Sequence, residues 1–191
     1  MLNHQGTIEI ETERLILRRF TANDAKDMYR NWASDREVCR YMRWAQHESV
    51  EETMAVINGW LNSYDKTSFY QWAITLKNIN KLIGAVGLFI VNESDLCGDV
   101  GYCISKNYWG QDFATEALKS VLDYAFMIVG FNRIETYHAV NNPASGRVMQ
   151  KSGMMFEGHA RQKYRSNLGF EDSDMYAILK QDYKNYNQIT D

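Results

Sequence analysis

The chain has 191 residues, within the roughly 100–200 typical of one domain and enough to bury about 70% of its unfolded surface without a disulfide or metal staple. With 45% apolar and 24% charged residues, 12 glycines and a single proline, Pro143, its composition excludes disordered, collagen-like and low-complexity chains. Lys plus Arg total 21 against 24 Asp plus Glu, a formal net charge of −3, which argues against a general nucleic-acid binder.

The opening Met1-Leu2-Asn3-His4-Gln5-Gly6 has neither a basic flank nor an apolar stretch before Glu9, Glu11 and Glu13, so a cytoplasmic protein is expected. Alternation of apolar and polar residues predicts a first strand over about 7–19, through Ile8, Ile10, Leu15 and Leu17. Asn23 and Asp24 are N-cap types for a helix running through Met28, Tyr29 and Trp32. Ser49-Val50-Glu51-Glu52 reads as a capping box, Ser49 bonding forward and Glu52 back, ahead of a helix through Met54, Ile57, Trp60 and Leu61.

Three strands are predicted next, about 69–77, 82–92 and 98–105, divided by Asn78-Ile79-Asn80-Lys81 and Asn92-Glu93-Ser94-Asp95, in the order of an antiparallel meander. The near-apolar run from Leu82 to Val91 is too short for the roughly 18 residues that span a bilayer, so it reads as buried strand and no membrane partner is expected. A long helix over about 112–129 carries Ala114, Ala117, Leu118, Val121, Leu122 and Ala125 at three-to-four spacing. With a strand over 133–140 behind it, it forms a β-α-β crossover between parallel strands. A short helix over 143–151 and strands near 154–164 and 172–181 follow. The expected fold is a single α/β domain over 1–191, with a mixed sheet of about seven strands and helices on both faces. Cys39, Cys97 and Cys103 contain no C-x-x-C pair and read as free thiols; His4, His47, His138 and His159 lack ligand spacing, so no metal is expected.

Three segments carry chemistry. Tyr108-Trp109-Gly110-Gln111-Asp112-Phe113-Ala114-Thr115 joins a strand to a helix N-terminus, where free N–H groups and the positive end of the helix dipole favour a phosphate. It is neither a P-loop nor a dinucleotide fingerprint. Asn142-Pro143-Ala144-Ser145 suits a helix start and Gly153 its stop. In Gly98-Asp99-Val100-Gly101-Tyr102-Cys103-Ile104, period two puts Asp99, Gly101 and Cys103 on one face. A carboxylate there could serve as a base beside a closely approaching ligand. Each segment also has an ordinary structural reading: a strand-helix loop, a capped helix, a solvent-facing aspartate.

Together these segments resemble the GNAT acyltransferases, and within them the branch that acetylates ribosomal protein N-termini. The resemblance covers nearly the whole chain: Thr12-Glu13-Arg14-Leu15-Ile16-Leu17-Arg18, Leu82-Ile83-Gly84, Gly101-Tyr102 and two motifs. The acetyl-CoA loop Q/R-x-x-G-x-G/A aligns with Trp109 to Ala114, followed by Thr115-Glu116-Ala117. The later motif N-x-x-S-x-x-V-x-x-K-x-G-F aligns with Asn142, Ser145, Val148, Lys151 and Gly153, with Met154 for the final Phe. Trp109 stands where Gln or Arg is usual, and Asp112 replaces a loop glycine, setting a carboxylate where pyrophosphate should approach.

The resemblance implies a splayed parallel strand pair, acetyl-CoA as acyl donor and a primary amine as acceptor, either a protein N-terminus or a small amine such as a polyamine, antibiotic or toxin. A non-catalytic CoA-binding protein is the rival from another class. For the donor it implies Ile104, Trp109, Gly110, Gln111, Asp112, Phe113, Ala114, Thr115, Asn142, Ser145 and Lys151. Asp99 would take the amine proton, given burial that raises its pKa. Ser145 would meet the departing thiolate, since the tyrosine many relatives use falls at Met149. Tyr41, Met42, Trp44 and Trp72 are expected near the acceptor, although an aromatic core accounts for any one of them as readily. Monomer and homodimer are left equally open.

Overall fold

The computed structural model describes residues 1–183. They build one eight-stranded sheet from β1 (Ile10–Glu11), β2 (Leu15–Arg18), β3 (Tyr70–Leu76), β4 (Lys81–Asn92), β5 (Cys97–Ile104), β6 (Arg133–Ala139), β7 (Met155–Ser166) and β8 (Gly169–Leu179). The spatial order is β1-β2-β3-β4-β5-β6-β8-β7, and every joint is antiparallel except β5–β6. The mixed, mostly antiparallel sheet with one parallel pair is as expected from the sequence. The strand count rises because the segment read as one strand over 7–19 folds into a hairpin. Its turn is closed by the Thr12 N–H on the Leu15 carbonyl and the Leu15 N–H on Thr12 Oγ1, both at 2.9 Å.

Helices α1 (Ala25–Met28), α2 (Arg36–Cys39), α3 (Val50–Leu61), α4 (Phe113–Asp123) and α5 (Pro143–Lys151) complete the fold. α1 runs on into a π-helical turn at Tyr29–Ala33, and α4 into another at Tyr124–Val129. Ser49 caps α3 as expected, its Oγ accepting the Glu52 N–H at 3.2 Å. Glu52 reaches back one residue further than a capping box requires, to the Glu48 N–H at 2.8 Å.

Period-two alternation divides the sheet's side chains between two cores. Phe20, Met28, Trp32 and Ile57 pack with Ala73, Leu82 and Ala85 on the face covered by α1 and α3. Leu118, Val121, Leu122 and Phe126 pack with Trp72, Val86, Val100 and Ile134 on the face covered by α4. Each large side chain buried in this way contributes about 1.5–3 kcal/mol by leaving water.

The parallel joint is short. β5 and β6 pair only at Cys97 with Arg133, Gly98 with Ile134 and Asp99 with Glu135. The buried Thr136 hydroxyl then donates to the Val100 carbonyl at 2.7 Å, and beyond it the strands part. The Ser105 N–H donates to the Ile83 carbonyl at 2.8 Å, so alternation turns the backbones of Gly101 and Cys103 toward β4 as well. The backbones of Val100, Tyr102 and Ile104 therefore face the opening.

Candidate active site

A cavity of about 740 Å³ occupies this opening. Its walls include Asp99, Gly101 and Cys103 from one face of β5 and Val100 and Tyr102 from the other. Residues of both parities can line one space only if it passes through the gap, joining the α1–α3 face to α5.

Asp99 lies on the cavity wall. Burial, reinforced by the nearby Glu135 carboxylate, lifts its pKa from 3.8 to about 6, against the Val100 backbone hydrogen bond and the charges of Lys163 and Arg43. Asn142, just before α5, and Ser145 and Met149 within it line the same cavity. The Asn142 side chain makes no capping bond, which separates the two roles its sequence left open: it lines the cavity, and Pro143 starts the helix. The Tyr102 hydroxyl lies 2.9 Å from the Ser145 carbonyl oxygen and 3.0 Å from Ser145 Oγ. Deep burial raises the Tyr102 pKa, so this phenol remains a neutral donor and acceptor. Sequence reading gave Tyr102 no role, because only the fold brings it to Ser145.

The loop after β5 leads into α4, but neither Ile104 nor any residue from Trp109 to Thr115 is among those that line the cavity, so the structure does not join the expected donor loop to it directly. Gly110 at φ 73° and Asp112 at φ 61° both take the left-handed conformation. Glycine meets that demand without a Cβ, and aspartate is among the few other residues that adopt it readily. The first helical bond runs from the Glu116 N–H to the Asp112 carbonyl at 2.9 Å, so the amides of Phe113, Ala114 and Thr115 precede the helical ladder. Thr115 Oγ1 is buried there without a hydrogen-bond partner among the described residues. An unspent helix N-terminus beside an orphaned hydroxyl fits a pyrophosphate, and the outward-facing amides of β5 fit an amide-bearing chain.

The side chains correct several expectations. The exposed Asp112 carboxylate pairs with Lys151 Nζ, and that hydrogen bond holds its pKa below the usual range. Lys151, expected at the donor, thus spends its ammonium on the residue feared to repel it. The Trp109 indole donates to the Ile104 carbonyl at 2.7 Å, which ties the start of the loop back to the end of β5. Gln111 turns its side chain back onto the Asn107 carbonyl at 3.2 Å.

A clamp on this loop was missed. Glu116 accepts from Thr12 Oγ1 at 2.6 Å, the Arg14 N–H at 2.8 Å and Arg14 Nε at 2.6 Å. The same guanidinium donates to the Gln111 carbonyl at 3.1 Å and lies 4.3 Å from the Phe113 ring centre. The Thr12-Glu13-Arg14 segment and Glu116 were both visible in the sequence, but nothing local paired them.

Tyr41, Met42 and Trp44, expected near an acceptor, line the cavity. The Asn167 amide holds their segment by donating to the carbonyls of Cys39, Met42 and Trp44. Trp72 does not reach the cavity: it is 0% exposed in the α4-side core, with Nε1 bonded to the Ile8 carbonyl at 2.6 Å. Its neighbour Gln71, one residue out of phase, lines the cavity instead. His47 and His138 also line it, unforeseen. Burial lowers the His47 pKa, and its Nδ1 lies 2.7 Å from Thr53 Oγ1.

Residues 14–155 match the family model described as an acetyltransferase (GNAT) domain. An uncharacterized N-acetyltransferase of Bacillus subtilis, YoaA, is 32% identical over 171 residues, 90% of this chain and 96% of the relative. The ribosomal-protein-serine acetyltransferase of Escherichia coli is 22% identical over 91% of this chain and 96% of its own. A GNAT-family acetyltransferase from Bacillus anthracis, known by crystal structure, superposes with a TM-score of 0.80 at 25% identity, covering 91% of this chain and 99% of that one. The chain therefore belongs to the GNAT family of N-acetyltransferases.

Proposed function

We propose that this acetyltransferase moves the acetyl group of acetyl-CoA onto a protein N-terminal α-amine by direct attack on the thioester. The observation that carries the reading is Asp99, a carboxylate with a pKa near 6 on the wall of the cavity that Ser145 also lines. An ordinary aspartate is too weak a base for an ammonium group. One near 6 comes closer to the model value of about 8 for an N-terminal amine than to the 10.4 of lysine. The similarity to a ribosomal-protein-serine acetyltransferase supports the same acceptor class.

In this reading the amine gives its proton to Asp99 through a water, the C–N bond forms and the C–S bond breaks. The amides of Tyr102 and Ile104 hold the donor chain, those of Phe113 to Thr115 its pyrophosphate, and Asn142 orients it. The Ser145 hydroxyl donates to the departing thiolate, which relays charge no further. Tyr102 governs that hydroxyl: when its own O–H donates to Ser145 Oγ, the serine O–H stays intact and is free to point into the cavity as a donor. Trp44 and Tyr41 flank the acceptor.

The test is mass spectrometry of a peptide with a free N-terminus and an internal lysine, beside an N-blocked copy and a panel of small amines. Acetylation of the N-terminal amine alone is expected. Transfer only to small amines would replace the acceptor class, and no transfer with intact acetyl-CoA binding would leave a non-catalytic binder.

A further inference from the structure

One cluster on the cavity wall takes no part in the chemistry above. The Tyr137 and Tyr164 rings lie 5.1 Å apart, and both line the cavity. The Tyr164 hydroxyl is fixed by donation to the Tyr41 carbonyl at 2.9 Å. Across these rings lies the exposed, cavity-lining Arg43, its guanidinium 5.9 Å from the Tyr137 centre, 5.3 Å from that of Tyr164 and hydrogen-bonded to the Tyr137 hydroxyl at 2.6 Å. A second cation, Lys163, stands 5.9 Å from the same Tyr137 centre.

Neither cation has a carboxylate partner among the described residues, whereas Arg14, Arg18 and Arg133 each form an ion pair. The cation–π contacts and the Tyr137 hydrogen bond hold Arg43 in place and leave most of its planar fork of donors unspent, a geometry matched to carboxylate or phosphate. Two positive charges sharing one ring repel each other, and an anion between them removes that cost. Both charges also act on Asp99, so the cluster and the proposed base belong to one compartment.

We infer that Arg43 and Lys163 on the Tyr137–Tyr164 platform form an anion subsite, and that the acceptor carries a carboxylate or phosphate group close to its reactive amine. The inference deepens the proposed acetyl transfer and rests on it. The acid has two sources: the carboxylate of a free amino acid, or an acidic side chain next to a peptide's N-terminal residue.

Two matched pairs separate them: leucine against leucinamide, and the peptide amide Ser-Asp-Phe against Ser-Asn-Phe. Steady-state acetylation of each pair is compared in the wild type, Arg43→Gln and Lys163→Gln. In one pair the acid should exceed its neutral partner in kcat/KM by about tenfold, chiefly through KM, the size of one good charged contact. That ratio should fall toward one in Arg43→Gln and partway in Lys163→Gln. Neutral partners as good as the acids in both pairs, or a preference that survives both substitutions, overturn the subsite.

If no probe is turned over, calorimetry on the CoA-saturated protein decides, and the absence of acid-dependent binding up to millimolar concentration overturns it equally. A loss of CoA affinity in Arg43→Gln without any acceptor discrimination assigns the cluster to the donor and also refutes the inference. Efficient transfer to neutral peptides without acid preference removes the subsite alone. Acid preference in leucine with no peptide acetylated keeps the subsite and removes the protein acceptor.

Discussion

Replacing Asp99 with Asn should stabilise the protein at neutral pH while disabling it. The folded state displaces the Asp99 titration from 3.8 to about 6, so folding binds its proton more tightly than the unfolded chain does. Stability is therefore lost as pH rises between these values, and above them the ionised carboxylate carries its full penalty. About two pH units at 1.36 kcal/mol each set that penalty at about 3 kcal/mol, an upper figure for a side chain that keeps some contact with water. Asn retains the shape and an acceptor for the Val100 N–H but does not ionise. Urea unfolding of both proteins at pH 4 and pH 8 measures the effect without interference from the acceptor amine, which titrates in any rate profile. Asp99→Asn should gain about 2–3 kcal/mol on the wild type at pH 8 and much less at pH 4. An equal difference at both pH values, or a loss at pH 8, would refute the claim that burial sets this carboxylate's proton affinity.

Other substitutions test the remaining parts of the site. Ser145→Ala should lower kcat by about 10–1000-fold with little change in the KM for acetyl-CoA, the scale of losing a positioned donor; an unchanged kcat removes the hydroxyl from the reaction. Tyr102→Phe should also lower kcat, and it should add little to Ser145→Ala in the double variant, because the two hydroxyls act as one unit. Trp72→Ala should cost about 3–5 kcal/mol in urea unfolding yet leave acceptor preference intact; altered preference would put the ring at the acceptor after all. Asp112→Asn should change CoA affinity by less than about threefold, since the carboxylate already faces Lys151, whereas a gain of about tenfold would mean that it faces the phosphates.

The fold was legible where local signals were repeated. The spacing of Ala117, Leu118, Val121 and Leu122 gave α4, and Pro143 and Gly153 bracketed α5, because capping and periodicity act within a few residues. The first hairpin was not: the polar run Glu11-Thr12-Glu13-Arg14 breaks the alternation and shifts its phase from Ile8 and Ile10 to Leu15 and Leu17, but it holds no Gly, Pro or Asn to announce a turn, which Thr12 closes through its N–H and its hydroxyl. Of the residues named from sequence, Asp99, Asn142 and Ser145, read from ordered motifs, and Tyr41, Met42 and Trp44, read from the family resemblance, all line the cavity. Trp72 was misplaced by a single step of strand phase, and composition cannot tell which face of β3 meets the cavity. Tyr102, Arg14 and Glu116 escaped because their partners lie 43, 102 and 102 residues away.

The clamp on the loop before α4 has a kinetic corollary. The residues that brace the loop come from the start of the chain and the middle of it, so bracing requires closure of a segment about a hundred residues long, whose entropy must be met before the contact forms. The loop cannot acquire its final shape by local folding of α4, however early that helix forms. Affinity for CoA should thus emerge as one of the last events of refolding, after far-ultraviolet ellipticity has recovered, and a fluorescent CoA analogue would serve as a stopwatch for the docking of the first hairpin.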